Sequence, residues 1–128
     1  MLTKGKHIFA DFIGIKGDEN EIGNFVFNLM INSIENNTSM KIVHRHLSIL
    51  NGETPPGFTS VLLLDESHFT AHFTSHCYSE QGLLAIDLFT CGKTDTSKVI
   101  EYFTDKIKEK YPDIVCTYRK EHERFHNI

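Results

Sequence analysis

No apolar run in these 128 residues approaches the ~20 needed to cross a bilayer. The basic start, Lys4-Gly5-Lys6, is followed by no apolar signal core, so a cytoplasmic protein is expected. Cysteine is scarce. Cys77, Cys91 and Cys116 make neither a CxxC pair nor an even framework, which suits free thiols in a reducing compartment. Proline is rare too, with 3 in the chain, and no low-complexity tract, repeat or linker divides it. One domain over residues 1–128 follows, long enough to bury a real core. Lysine and arginine number 13 against 17 aspartate and glutamate, a net charge of -4. That balance leaves no basic footprint for nucleic acid and suits a cationic small molecule better.

Histidine, by contrast, is plentiful at 8 residues. His72 and His76 stand four apart, but their segment alternates like a strand, not like a helix that would bring i and i+4 together. His44 and His46 would share a strand face, yet no third ligand accompanies them, so no metal is expected.

Hydrophobic periodicity lays out the elements. Residues 4–14 alternate as a strand with Ile8, Ala10 and Phe12 on one face and His7, Phe9 and Asp11 on the other. Over 19–36, Ile22, Phe25, Val26, Leu29, Met30 and Ile34 recur at helical spacing and form a core stripe. Residues 40–50 read as a strand with Ile42, His44 and His46 on one face and Val43, Arg45 and Leu47 on the other. A proline-bearing loop leads to a strand over 57–67, expected to be buried on both faces. Asp95-Thr96-Ser97 offers caps for a second helix striped by Val99, Ile100, Phe103, Ile107 and Tyr111, and Pro112 forbids its continuation. Ile114 to Tyr118 reads as a last strand, and the tail after it as a solvated edge or fraying end. Strands segregated from two helices that can cover only one sheet face define an α+β two-layer sandwich.

The chemistry concentrates between Asp65 and Gly92. Val61-Leu62-Leu63-Leu64 runs into Glu66-Ser67-His68, polar and apolar residues alternate through Phe73, and after Ser79-Glu80-Gln81-Gly82 a second apolar run ends at Thr90-Cys91-Gly92. Two strands joined by a turn would bring a hydroxyl, imidazoles, a thiol and carboxylates onto neighbouring backbone, enough for nucleophilic and acid–base work.

Glu66-Ser67-His68, the His-rich hairpin and Ile86-Asp87-Leu88-Phe89-Thr90-Cys91-Gly92, in that order, together with the opening Lys6-His7-Ile8-Phe9-Ala10-Asp11-Phe12, resemble the prokaryotic-type S-adenosylmethionine decarboxylases. These are small pyruvoyl enzymes made as proenzymes. The resemblance implies the same sandwich fold and homodimers of αβ protomers that share active sites across their interface. It implies self-cleavage between Glu66 and Ser67, leaving residues 1–66 as a β chain and 67–128 as an α chain capped by a pyruvoyl group made from Ser67. Ser67 Oγ can reach the Glu66 carbonyl carbon through a five-membered ring, an intramolecular placement that itself supplies much of the rate. The pyruvoyl ketone then takes the substrate amine as a Schiff base and draws electrons as carbon dioxide leaves.

By resemblance Cys91 is the proton donor to the substrate α-carbon, Asp11 and Glu80 are acidic substrate contacts, and Thr59 is a hydroxyl assisting processing. Three residues compete for the processing histidine, of which His68, as the immediate neighbour of Ser67, should point to the opposite face. Counting forward from Ser67 reaches His72; counting back from Cys91 reaches His76, which otherwise falls among the substrate contacts. His72 is preferred because strand pairing near Ser67 fixes geometry more tightly. The family's adenine-stacking aromatic is missing from the stretch 46–52, and His44, His46 or Phe9 could replace it. The expected activity is decarboxylation of S-adenosylmethionine for spermidine synthesis. The alternatives are ornithine or arginine decarboxylation on the same scaffold, or an uncleaved homologue that acts as a binding partner.

Overall fold

The computed structural model describes residues 5–50, 52, 56–75, 81–92 and 94–125. Its elements are β1 (Gly5–Ile13), α1 (Glu19–Asn37), β2 (Ile42–Leu50), β3 (Gly57–Leu64), β4 (Ser67–Thr74), β5 (Leu83–Cys91), α2 (Thr96–Lys110) and β6 (Val115–Arg124). The strands form one antiparallel sheet in the order β2-β3-β4-β5-β1-β6, and both helices lie on a single face of it. This is the α+β two-layer sandwich the hydrophobic pattern implies.

Period-two alternation decides which side chains meet the helices. Ile8, Ala10 and Phe12 of β1, Phe69, Ala71 and Phe73 of β4, and Leu84, Ile86 and Leu88 of β5 are all essentially buried. Facing them are Ile22, Val26, Met30 and Ile34 of α1 and Val99, Ile100, Phe103 and Ile107 of α2. Phe103 ties the layers together, its ring 6.5 Å from that of Phe12 and 5.9 Å from that of Phe69. The helices start where side chains cap them. Asp18 accepts the Glu21 N–H, and Asp95 accepts those of Ser97 and Lys98. Pro112 follows α2 at once, and two lysines in its last turn complement the exposed carbonyl end.

Four expectations are corrected. The strand expected over 57–67 stops at Leu64, because Leu64 pairs directly with Ser67 and leaves Asp65-Glu66 as a two-residue turn. It is also not buried on both faces: Leu63 is 45% exposed, since the helices cover one side only. Ile42 does not share a face with His44 and His46. A register shift between Ile42 and His44 makes Val43 an extra residue, so Ile42 pairs with buried Leu64 while His44 pairs with exposed Leu63. Finally, the last strand does not end at Tyr118, and of the two readings of the tail the solvated edge is the one found through Arg124. It runs to Arg124, pairing with β1 along its length, because the free edge of β1 offers main-chain partners whatever the side chains are.

β6 is exposed throughout, as a polar edge strand is. An ion pair helps to seat it: Lys6 Nζ lies 2.9 Å from Glu121 Oε1. The hydrogen bond from Lys6, joined by one from Ser97, holds the Glu121 carboxyl below its ordinary range. No helix among the described residues is long and apolar enough to cross a membrane.

Because Phe103 bridges both layers at 0% exposure, Phe103→Ala should cost about 3–5 kcal/mol. Equilibrium urea unfolding checks this; a loss under ~1 kcal/mol would show that the layers are not joined at that ring.

Candidate active site

The Glu66–Ser67 bond, where cleavage is expected, sits where the turn between β3 and β4 meets β4. Asp65 is fastened from outside: its N–H donates to the Lys41 carbonyl at 3.1 Å, and its carboxylate accepts the Lys41 N–H at 3.0 Å. Glu66 is left with φ of 69°, the left-handed region that favours glycine. For a side chain that can make no compensating local bond this costs roughly 1–2 kcal/mol. Such a conformation persists only where its surroundings over-determine it, and here the Lys41 clasp and two paired strands do so. Strain therefore lies at the residue whose carbonyl Ser67 would attack.

Ser67 opens β4 and is 8% exposed, on the helix side of the sheet with Phe69, Ala71 and Phe73. Its Oγ accepts the Cys91 N–H at 3.2 Å. The expected meeting of Ser67 with the far end of β5 is thus present, through the backbone of Cys91. The Cys91 side chain has the opposite parity and is half-buried on the outer face; it and Cys116 carry free thiols.

The outer face, which no helix covers, reads as rows across all six strands. One row is His122, His7, Phe89, His68, Leu63 and His44. The next is Lys120, Phe9, Asp87, Thr70, Val61 and His46. The third is Tyr118, Asp11, Ala85, His72, Thr59 and Ser48. Six of the 8 histidines are on this one surface.

Two expected residues are brought together directly: Thr59 Oγ1 and His72 Nδ1 are hydrogen-bonded at 2.5 Å between paired positions of β3 and β4. His72 is nevertheless far from Ser67 of its own chain. Five residues along one strand give a separation of ~17 Å, and an odd spacing puts the two side chains on opposite faces. His68 likewise points away from the Ser67 side chain, onto the outer face, 3.9 Å from Asp87. Asp11 lies in the Thr59–His72 row, between Tyr118 and Ala85. His76, Cys77 and Glu80 lie outside the described residues.

Four residues were given no role on sequence grounds: Asp87, Tyr118, His122 and Thr90. Asp87 interrupts an apolar run and meets the outer-face imidazole of His7 at 2.7 Å. The signal was there, as a lone carboxylate with outward parity in a strand. The rings of Tyr118 and His122 each stack against Phe9 at 6.0 Å, Tyr118 from the end of the expected last strand and His122 from the tail after it. Thr90 is treated below. Among the described residues no group of three or more His, Cys, Asp or Glu is arranged to hold a metal ion.

An α+β sandwich with a strained Glu–Ser turn at one end of its sheet and a paired hydroxyl–imidazole strip on the uncovered face has the make-up of a small proenzyme. The sequence profile described as S-adenosylmethionine decarboxylase matches residues 6–120. The S-adenosylmethionine decarboxylase proenzyme of Persephonella marina is 34% identical over 113 residues, covering 87% of this chain and 78% of the relative. That of a Sulfurihydrogenibium species is 34% identical over 112 residues, with 87% and 78% covered. That of Clostridium botulinum is 28% identical over 115 residues, 89% of this chain and 92% of its own. The chain belongs to the S-adenosylmethionine decarboxylase family.

The strain at Glu66 can be measured on its own. In a Ser67→Ala background, which keeps the turn whole, Glu66→Gly should raise stability by about 1 kcal/mol, because glycine adopts a positive φ without penalty. A thermal melt with no gain, or with a loss, would place the strain elsewhere.

Proposed function

We propose that the chain is a cytoplasmic proenzyme that cuts itself between Glu66 and Ser67 and, as a homodimer, decarboxylates S-adenosylmethionine to supply spermidine synthesis. The observation that carries this is the pairing of a left-handed Glu66 with a Ser67 whose Oγ is held by the Cys91 N–H. The residues around position 67 fit a pyruvoyl group: the position is the first of a strand, shielded from bulk water and beside an amide donor that an oxygen at that place can use. Once formed, that group supplies a ketone able to bind an amine and accept electrons.

The chain's own side chains divide the remaining work. Thr59 fixes the His72 ring through Nδ1, which leaves Nε2 free to take or return a proton. Cys91, on the outer face near the reactive turn, serves as the proton donor to the substrate α-carbon. Asp11 gives a carboxylate for the cationic substrate. Phe9, backed by Tyr118 and His122, gives the flat apolar face that residues 46–52 lack, and a purine can stack there. His76 and Glu80 complete the proposed substrate contacts from the segment before Gln81.

Distance within one chain supports a homodimer. His72 cannot serve the Ser67 of its own chain from ~17 Å along the strand and the other face. A second copy laid on the uncovered face would bring a Thr59–His72 pair to the Asp65-Glu66 turn end of the first, removing the separation along the strand; the target there is the Ser67 α-hydrogen on the backbone and not its helix-side hydroxyl. That face carries Lys120 and Arg124 against Asp11 and Asp87, so its fixed charges balance and two copies meet without repulsion. Val61 and Leu63 add apolar surface to it, Leu63 45% exposed in the single chain.

Carbon dioxide trapping from carboxyl-labelled S-adenosylmethionine, ornithine and arginine tests the substrate. Release from S-adenosylmethionine alone is expected; release only from an amino acid would overturn the assignment. Complementation tests the shared site. Chains with Ser67→Ala and chains with His72→Ala should each stay whole when made alone. Made together, they should yield cleaved His72→Ala chains, because the Ser67→Ala partner lends its histidine. No cleavage in the mixture would restrict the base to its own chain.

A further inference from the structure

Thr90 holds a buried hydroxyl with no part in the chemistry proposed above. The residue is 0% exposed, and its Oγ1 has no hydrogen-bond partner among the described residues. A buried hydroxyl left unpaired is destabilising and calls for an explanation. Thr96 carries the other such hydroxyl, at the first residue of α2. Thr90 differs from it in register. His68 pairs with Phe89, so one step back along the antiparallel ladder sets Ser67 opposite Thr90. Both side chains have helix-side parity and both are buried, at 8% and 0% exposure. Directly opposed residues have their Cβ atoms about 4.5–5.5 Å apart. Ser67 Oγ is already taken up by the Cys91 N–H, so the Thr90 hydroxyl is paired to nothing in the uncut chain.

We propose that the Thr90 hydroxyl is the hydrogen-bond donor for the tetrahedral intermediate of self-cleavage, a role that rests on the self-cleaving reading above. As Ser67 Oγ bonds to the Glu66 carbonyl carbon, the π pair of that carbonyl moves onto its oxygen and the Oγ proton moves toward the Ser67 nitrogen. The new oxyanion accepts the Thr90 O–H. When the pair returns, the carbon–nitrogen bond breaks, the nitrogen leaves with the proton that Oγ gave up, and an ester has replaced the amide. No outside reactant is consumed, and Thr90 ends with the proton it started with. The donor is idle in the ground state and paired in the transition state, so it lowers the barrier without stabilising the uncut bond.

Thr90→Val removes the hydroxyl and keeps the shape. Cleavage is followed by pulse labelling during cell-free synthesis, with thermal melting in parallel. The expected result is cleavage slowed by ~100-fold or more, with a melting temperature at or above that of the parent, since an unpaired polar atom has been removed. Thr90→Ser should cleave near the parent rate. A valine variant that cleaves as fast as the parent overturns the role of Thr90 while leaving self-cleavage intact. A parent chain that never cleaves overturns both. Should the valine variant fail to fold, Thr90→Ser against Thr90→Ala gives the same contrast of hydroxyl with none, and equal rates in that pair would refute the proposal.

Discussion

The antiparallel register of β4 governs this molecule. Once Ser67 takes the first position of the strand, every second residue after it must face the helices and every other one must face away. Phe69, Ala71 and Phe73 build the core, while His68, Thr70 and His72 are delivered to a surface the fold leaves uncovered. The nucleophile and the strip of imidazoles therefore belong to opposite sides of one sheet. The proposed second chain would supply its imidazole strip at the turn end of the sheet, where only the backbone of position 67 is open to the outer face.

The same register explains how a cut can leave the fold intact. Breaking the backbone after Glu66 severs a turn, and β3 and β4 keep their pairing from Gly57/Thr74 to Leu63/His68 even though position 67 gives up its nitrogen. The two halves are interleaved as well. β1, β2 and β3 would fall in the first fragment and β4, β5 and β6 in the second, yet the sheet runs β2-β3-β4-β5-β1-β6. β1 is flanked on both sides by strands of the other fragment, and α1 packs on α2. Separation would require unzipping the sheet. The surrounding ladder that tolerates strain at Glu66 would also hold the ends left by a cut there.

The layered fold was legible because it rests on periodicity. The β1 and α1 stripes and the capped start of α2 each follow from where apolar residues recur. What escaped depends on partners that lie far away in the chain. The extra residue at Val43 shows only against β3. The length of β6 depends on the free edge of β1, since its own residues are polar and exposed. The end of β3 depends on Leu64 finding Ser67 rather than on any turn residue, for Asp65-Glu66 lacks the glycine such a turn favours. In the site, Ser67, Cys91, Thr59 and His72 were recognisable by family resemblance. The separation of Ser67 from His72 was implicit in an odd spacing along one strand. Thr90 could not be found from sequence, because a hydroxyl without a partner is a property of the packed structure.

The central claim is that the bond between Glu66 and Ser67 rearranges by itself. Intact mass measurement of freshly folded wild-type protein under denaturing conditions tests it most directly. Two fragments should appear, residues 1–66 with an ordinary C-terminus and residues 67–128 lighter than the unmodified peptide by one ammonia and replaced by the corresponding keto group, which resists Edman sequencing. A single chain of 128 residues, stable on long incubation, would contradict the account.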